Sequence, residues 1–438
     1  MNGISPYHLL IGISTIVILS FLFNVISKKT SIPSVILLII LGIGINLVDQ
    51  SINFFNKDLM PLLEILGIVG IIMIVLESAL DLKLEKEKWP ILWRSFVVAT
   101  LGLVATAFAI GFVIDLFLDC GPEKALLYAI PMSILSSAII LPSVHGLDEY
   151  KKEFMIYEST FSDILGITFF YLMLEQFGSE STHSLWFSLG SSTALTITIS
   201  LIASYLLIFI FQKLNSEVKL FLLISALILL YAVAKLNHLS SLLIILVFGL
   251  VLNNTKLFFR GPLKSLIDSE KVSKILIDFR LITMESAFVV RTFFFVIFGT
   301  TIIISQLFSI SVFLQSAVIL TIIFGLRWLF IRVFMGTDIH PQVFIAPRGL
   351  ITVLLLFAIP ESFEIPHFEN GIILYVILVT SVLMTWSLIK NKNSEKEQGN
   401  DVDEGFDPEP DFEDQAIAAL VSNELGLTND LNNEKEKP

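Results

Sequence analysis

The chain predicts an all-α polytopic membrane protein of about 13 transmembrane helices, N-terminus outside and C-terminus inside. Three observations carry that expectation. The 438 residues are 55% hydrophobic and only 16% charged, where soluble domains run to roughly 45–50% and 25%. Mean hydropathy is +0.84. The basic residues, finally, alternate from one side of the apolar segments to the other.

Apolar runs place helices at about 7–27, 32–49, 61–80, 90–117, 125–146, 154–175, 185–211, 218–235, 238–253, 280–304, 307–334, 342–359 and 370–390, by the length needed to cross a bilayer. The first has no basic region ahead of it and continues as a full span, so it reads as a helix rather than a signal peptide. Asn237 and His238 make the turn between 218–235 and 238–253. With the N-terminus outside, the inner loops collect Lys28, Lys29, Lys83, Lys86, Lys88, Arg94, Lys151, Lys152, Lys213, Lys219, the basic run from Lys256 to Arg280, then Arg327, Arg332, Lys390, Lys392 and Lys396. The outer loops carry only Lys57, Lys124 and Lys235. Apart from Lys435 and Lys437, this leaves Arg291 and Arg348 of the 28 basic residues unexplained by the rule that cytoplasmic loops are positive. An odd helix count fits this alternation.

Residues 254–279 read as the longest inner loop, basic with apolar interruptions. Residues 1–390 form the transmembrane domain, and 391–438 an acidic, mostly disordered cytoplasmic tail. Within the tail, 412–426 has apolar residues at helical spacing. Helices 1–6 and 8–13 could be inverted copies about helix 7. Helix 5 is interrupted by Pro131, Ser136, Ser137 and Pro142, and helix 12 by Pro347, Arg348 and Gly349. Paired interruptions of this kind mark midplane binding sites in transporters.

A single cysteine, Cys120, excludes intramolecular disulfides and argues against a cysteine-based metal site. There is no basic domain for nucleic acid. The six histidines form no ligand-spaced cluster. An intramembrane enzyme lacks a Ser–His pairing, a metal spacing and a second aspartate, so no enzymatic activity and no cofactor are expected.

The polar residues inside apolar segments concentrate on 154–175, which contains Glu158, Ser159, Ser162 and Asp163. A carboxylate at membrane depth costs a few kcal/mol even on mild scales, so each needs a partner, water or an ion. Ser159 and Asp163 stand at i and i+4, and Ser159 and Ser162 at i and i+3, so all three share a face. That face offers one carboxylate and two hydroxyls, the oxygen ligands that Na⁺ prefers. A carboxylate that takes a proton or a cation, never both, suffices for exchange. Glu158 lies about 140° away round the helix and needs a cation, for which Arg348 is the choice, since arginine stays charged and grips carboxylates through two bonds. Arg291 could neutralise Asp163 in one state or pair with Glu285. Glu77, at the end of an apolar run, reads as interfacial.

ESTFSD at 158–163 resembles the Glu-Ser-x-x-Asn-Asp motif of bacterial NhaP-type sodium/proton antiporters, in the monovalent cation:proton antiporter superfamily. PRGL at 347–350, followed by an apolar run and Pro360, resembles that family's arginine–glycine helix. KKTSIPSVILLIILGIGI (28–45), LESALDLKL (76–84), YAVAKLNHLSSLLIILVFGLVL (231–252) and FFFVIFG (293–299) match in family order. The resemblance implies an NhaA-like, inverted-repeat antiporter fold in which a core moves against a dimerisation domain, and a homodimer. It also implies that Asp163 is the ion- and proton-binding carboxylate, with Ser159 as a ligand, and it supports pairing of Glu158 with Arg348. Two departures stand out. Ser162 occupies the place of the family's Asn or second Asp, which favours one-for-one exchange. Helix 5 lacks the family's acid, leaving Ser136 and Ser137 as candidate ligands there.

The function expected is exchange of a monovalent cation, Na⁺ first, for H⁺ across the bacterial inner membrane by alternating access. Exchange of K⁺, or Li⁺, on the same scaffold is the nearest alternative, and a channel or membrane sensor with its signal in the tail is a second class.

Overall fold

Continuous apolar segments leave backbone groups no partner in lipid except one another, which forces helix along each span. A computed structural model describes residues 6–30, 34–49, 60–85, 87–144, 146–177, 185–214, 219–237, 241–260, 267–302, 309–366 and 368–397. Among them every regular element is helical. In order these are α1 (Pro6–Thr30), α2 (Ser34–Asp49), α3 (Met60–Asp81), α4 (Trp89–Leu118), α5 (Pro122–Ser133), α6 (Ser137–Ile140), α7 (Glu149–Phe177), α8 (Leu185–Phe211), α9 (Lys219–Leu236), α10 (Ser241–Asn253), α11 (Thr255–Phe258), α12 (Ser269–Thr301), α13 (Ile310–Met335), α14 (Leu350–Phe357) and α15 (Asn370–Glu397). Seven of the described helices are long and apolar enough to span a membrane.

The helices sort into two bundles. One, the core, holds α4, α5, α6, α7, α13, α14 and α15, with α4 lying against α5, α7 and α13. The other, the panel, holds α1, α2, α3, α8, α9, α10 and α12, with α12 packed on α2 and α3 and α10 on α3 and α8. They meet where α3 and α10 pack on α7 and where α12 packs on α14. α1 and α12 are further joined by a buried Ser20–Thr292 hydroxyl pair at 2.6 Å.

Four boundaries differ from the sequence expectation. The expected helix at 125–146 is two pieces, because Pro131 lies inside α5 and the chain is extended at Ile134 and Ser136. The expected helix at 342–359 is helical only over Leu350–Phe357. The expected loop at 254–279 contains α11 and the start of α12, whose N-terminus is capped by Asp268 accepting the Lys271 N–H at 3.3 Å. The last helix runs to Glu397, past the expected domain boundary at 390. The rest of the acidic tail, with 412–426, lies outside the described residues, as does His238.

The backbones of α2 and α12 approach closely where Gly42 meets Gly299. A Cβ added at Gly42 would run into the Val296 carbonyl oxygen and stand 2.8 Å from the Gly299 Cα. Backbone cannot yield as a flexible side chain does, so Gly42→Ala should cost about 1–3 kcal/mol as overpacking. A lower melting temperature of the purified variant checks this.

Candidate ion-binding site

The site is made by two interrupted helices crossing beside α7. α5 ends at Ser133, leaving its last carbonyls without intrahelical partners. The second interruption supplies them. Arg348 Nε donates to the Met132 carbonyl at 2.9 Å, and Thr352 Oγ1 donates to the Pro131 carbonyl at 2.9 Å. The backbones also pair directly, with the Ser136 N–H on the Pro347 carbonyl at 3.0 Å. Space is tight: a Cβ at Gly349 would lie 2.5 Å from Ser136 Oγ. Thus Ser136, an expected ligand, is turned towards the second interruption.

α7 fills the remaining bonds of the first interruption. The Leu135 N–H donates to Ser162 Oγ at 2.9 Å. The Ser137 N–H donates to Asp163 Oδ2 at 3.2 Å, and the Ser137 hydroxyl donates to the same oxygen. Asp163 is 1% exposed, and its other oxygen, Oδ1, is buried without a hydrogen-bond partner. A buried carboxylate oxygen left unpaired is costly, and a proton or a cation would satisfy it. Ser159 is fully buried one turn away and donates to the Ile156 carbonyl at 3.1 Å. Of the expected ligands, then, Asp163, Ser162 and Ser137 converge in direct contact with the first interruption. The serine in the place of the family's Asn or Asp ties the broken backbone to α7.

Glu158 is not paired to Arg348. Its carboxylate takes two bonds from Arg327 of α13, Nη1 to Oε1 at 2.9 Å and Nη2 to Oε2 at 3.1 Å. Arg327 Nε and Nη2 also donate to the Gln342 carbonyl at 3.0 and 2.9 Å. The fork of a guanidinium suits this double grip. The physical reason for the change of partner is that Arg348 is occupied by the carbonyls of Met132 and Ala346 that the interruptions expose. A cavity of about 30 Å³ lies between α4, α7 and α13, bordered by Ser133, Glu158, Ser162, Arg327 and Arg348; that is room for about one water molecule.

Across the interface, the panel presents a second ion pair. Arg291 Nη2 of α12 meets Glu77 of α3 at 3.1 and 3.2 Å. Neither Asp163 nor Glu285, which is exposed, is its partner. Glu77, expected at the interface, thus ties α3 to α12, and both members of the pair lie within electrostatic reach of Asp163. Asp81 and Arg280 make a further α3–α12 pair.

Residues 14–390 match the family model for the sodium/hydrogen exchanger transmembrane domain. The chain belongs to that family. It is accordingly a multi-pass membrane transporter of the cation:proton antiporter class. Among the solved structures similar to this exchanger are two of the sodium proton antiporter MjNhaP1 from Methanocaldococcus jannaschii. One, at pH 8, has a TM-score of 0.65 and 20% identity over 90% of this chain and 98% of that one. The other, an electron-microscopy map, has a TM-score of 0.62 and 18% identity over 92% of this chain and 100% of that one. At that identity the likeness is one of fold. No curated protein matches the exchanger in sequence.

Proposed function

We propose that the protein exchanges Na⁺ for H⁺, one for one, with Asp163 as the single carboxylate that binds either. The observation that carries this reading is the buried, unpartnered Oδ1 of Asp163 beside the first interruption. Ser137, Ser159 and Ser162 supply hydroxyl oxygen around it. The core carries the site past the panel, so that it opens to one side of the bacterial inner membrane and then the other, in a homodimer with its N-terminus outside. The Glu77–Arg291 ion pair is the fixed dipole on the panel that Asp163 passes.

Charge counting supports the stoichiometry. The buried charged residues described are Glu158, Asp163, Arg327 and Arg348. Their formal charges cancel when Asp163 is ionised and empty, and one proton or one Na⁺ leaves the same net charge. Exchange then moves no net charge, and a membrane potential has nothing to act on.

The test is dissipation of an imposed pH gradient in proteoliposomes on adding Li⁺, Na⁺ or K⁺. Na⁺ should act at the lowest concentration, at a rate indifferent to an imposed potential. A response to K⁺ alone would transfer the reading to K⁺/H⁺ exchange, and a rate that rises with potential would end the one-for-one stoichiometry. Competition at one site also fixes a pH dependence. Lowering the pH protonates Asp163 and excludes the cation, so on the acid side the apparent KM for Na⁺ should rise about tenfold per pH unit. The rate at saturating Na⁺ should change far less.

A further inference from the structure

The segment from α3 to α4 joins the panel to the core, and side chains hold it at both ends. On the panel side the anchor stands at the junction of α10 and α11. Asn254 Oδ1 accepts the Leu84 N–H at 2.6 Å, and its Nδ2 donates to the Leu82 carbonyl at 2.8 Å. Asn253 Nδ2 donates to the same carbonyl at 3.0 Å. The Asn254 amide also reaches back to the Leu250 carbonyl at 3.0 Å, so the anchor is fixed to the last turn of α10. Asn254 is 7% exposed and Leu82 3%. Just upstream, α3 is held to α12 by the Asp81–Arg280 and Glu77–Arg291 pairs. On the core side, Lys88 precedes α4 and pairs with Glu153 of α7.

An amide side chain offers both a donor and an acceptor. Asn254 uses both on one non-helical stretch, answering the N–H of Leu84 and the carbonyl of Leu82 as a neighbouring strand would. Backbone that is neither helical nor paired would otherwise have to find water. The Leu84 and Lys88 anchors are only four positions apart along the chain, so there is little slack between a point belonging to the panel and a point belonging to the core.

We infer that Asn253 and Asn254 are positioning residues of the transport cycle. They fix the panel-side end of the pivot on which the core turns. The inference rests on the reading that the core moves against the panel. Neither asparagine contacts Asp163 or the interruptions, so their work lies in turnover and not in ion affinity. With the clamp gone, the start of α4 is no longer referred to the panel, and the end states of the core lose definition.

The experiment compares the full-length parent with Asn254→Ala, and with Asn253→Ala as the milder variant that keeps both Asn254 bonds to the α3–α4 segment. In proteoliposomes, Asn254→Ala should lower the maximal exchange rate about fivefold or more, the equivalent of roughly one hydrogen bond lost from the productive states. The KM for Na⁺ should stay unchanged, and Asn253→Ala should show a smaller effect of the same kind. Hydrogen exchange should show the Leu84 amide released in Asn254→Ala, with amides inside α3 and α10 protected as in the parent. A Leu84 amide as protected as the parent's overturns the clamp. Leu84 released with the maximal rate unchanged overturns its role in transport, and so does a raised KM at an unchanged maximal rate. A parent that moves no ion would defeat the functional reading instead. In that case the distance distribution between spin labels replacing exposed Phe112 and Leu229 decides the clamp: broader in Asn254→Ala supports it, and no change overturns it.

Discussion

Asp163→Asn should reduce cation-driven proton movement to the background of empty vesicles while leaving the protein folded and inserted. The two halves of that expectation have separate causes. Asparagine has an amide oxygen where Asp163 has Oδ2, so it still accepts the Ser137 N–H and hydroxyl bonds that hold α7 to the first interruption. What it lacks is a group that takes up a proton or neutralises a cation. An amide neither titrates in the working range nor carries charge, so both halves of the exchange fail together. Stability should not fall, because the substitution removes an ionisable group whose Oδ1 has no partner, and a buried charge without one is a liability. The measurements are the pH-gradient assay and the melting temperature of the same preparation. Cation-dependent flux at the parental rate in Asp163→Asn would sink the site assignment. A collapse in yield would mean instead that the carboxylate is structural.

The polar residues of α7 and both helix interruptions stand out in the sequence, while the partners of Glu158 and Arg291 do not, and the reasons are physical. α7 was legible because a carboxylate in the middle of an apolar span has few explanations, and the 3.6-residue period alone separates the face of Ser159 and Asp163 from that of Glu158. The interruptions were legible through Pro131 and the Pro347–Gly349 run. Which serine faced Asp163 was not, since Ser136 and Ser137 are adjacent and a chain leaving a helix has no fixed period to count by. Arg327 was passed over because it sat with Arg332 near the end of a helix, where basic residues usually reach the headgroups. Yet the two are five positions apart, about 140° round α13. Arg332 reaches the Gly336 carbonyl at the surface, while Arg327 is turned inward onto Glu158. That angular offset was a usable signal. The pairing of Glu77 was hidden for a related reason: its partner, Arg291, is brought over from a helix 214 positions away in the chain. The division into core and panel depends on many such long-range pairings, and none of them has a local signature.

Arg327→Gln should be the most destabilising of the arginine substitutions, and a double-mutant cycle should show why. Removing the guanidinium strands Glu158, which is 1% exposed and takes both its bonds from Arg327. Breaking one side of a buried pair costs about 3–5 kcal/mol, most of it from the charge left behind. Replacing the carboxylate as well removes that charge, so Glu158→Gln combined with Arg327→Gln should be markedly more stable than Arg327→Gln alone. Coupling energies between groups in contact run to about 0.5–3 kcal/mol, and this pair should lie at the top of that range. Arg348→Gln should behave differently. Its loss uncaps the Met132 and Ala346 carbonyls, and no change at position 158 restores those bonds. Glu158→Gln should therefore rescue the Arg327 variant and leave the Arg348 variant little improved, as read by melting temperature in one detergent. The reverse pattern would return Glu158 to Arg348 and make Arg327 a surface cation. The cycle also bears on transport. If the Glu158–Arg327 pair only braces α7 against α13, the doubly substituted protein should keep its Na⁺ affinity, because Asp163, about 140° round α7 from Glu158, keeps its bonds to Ser137.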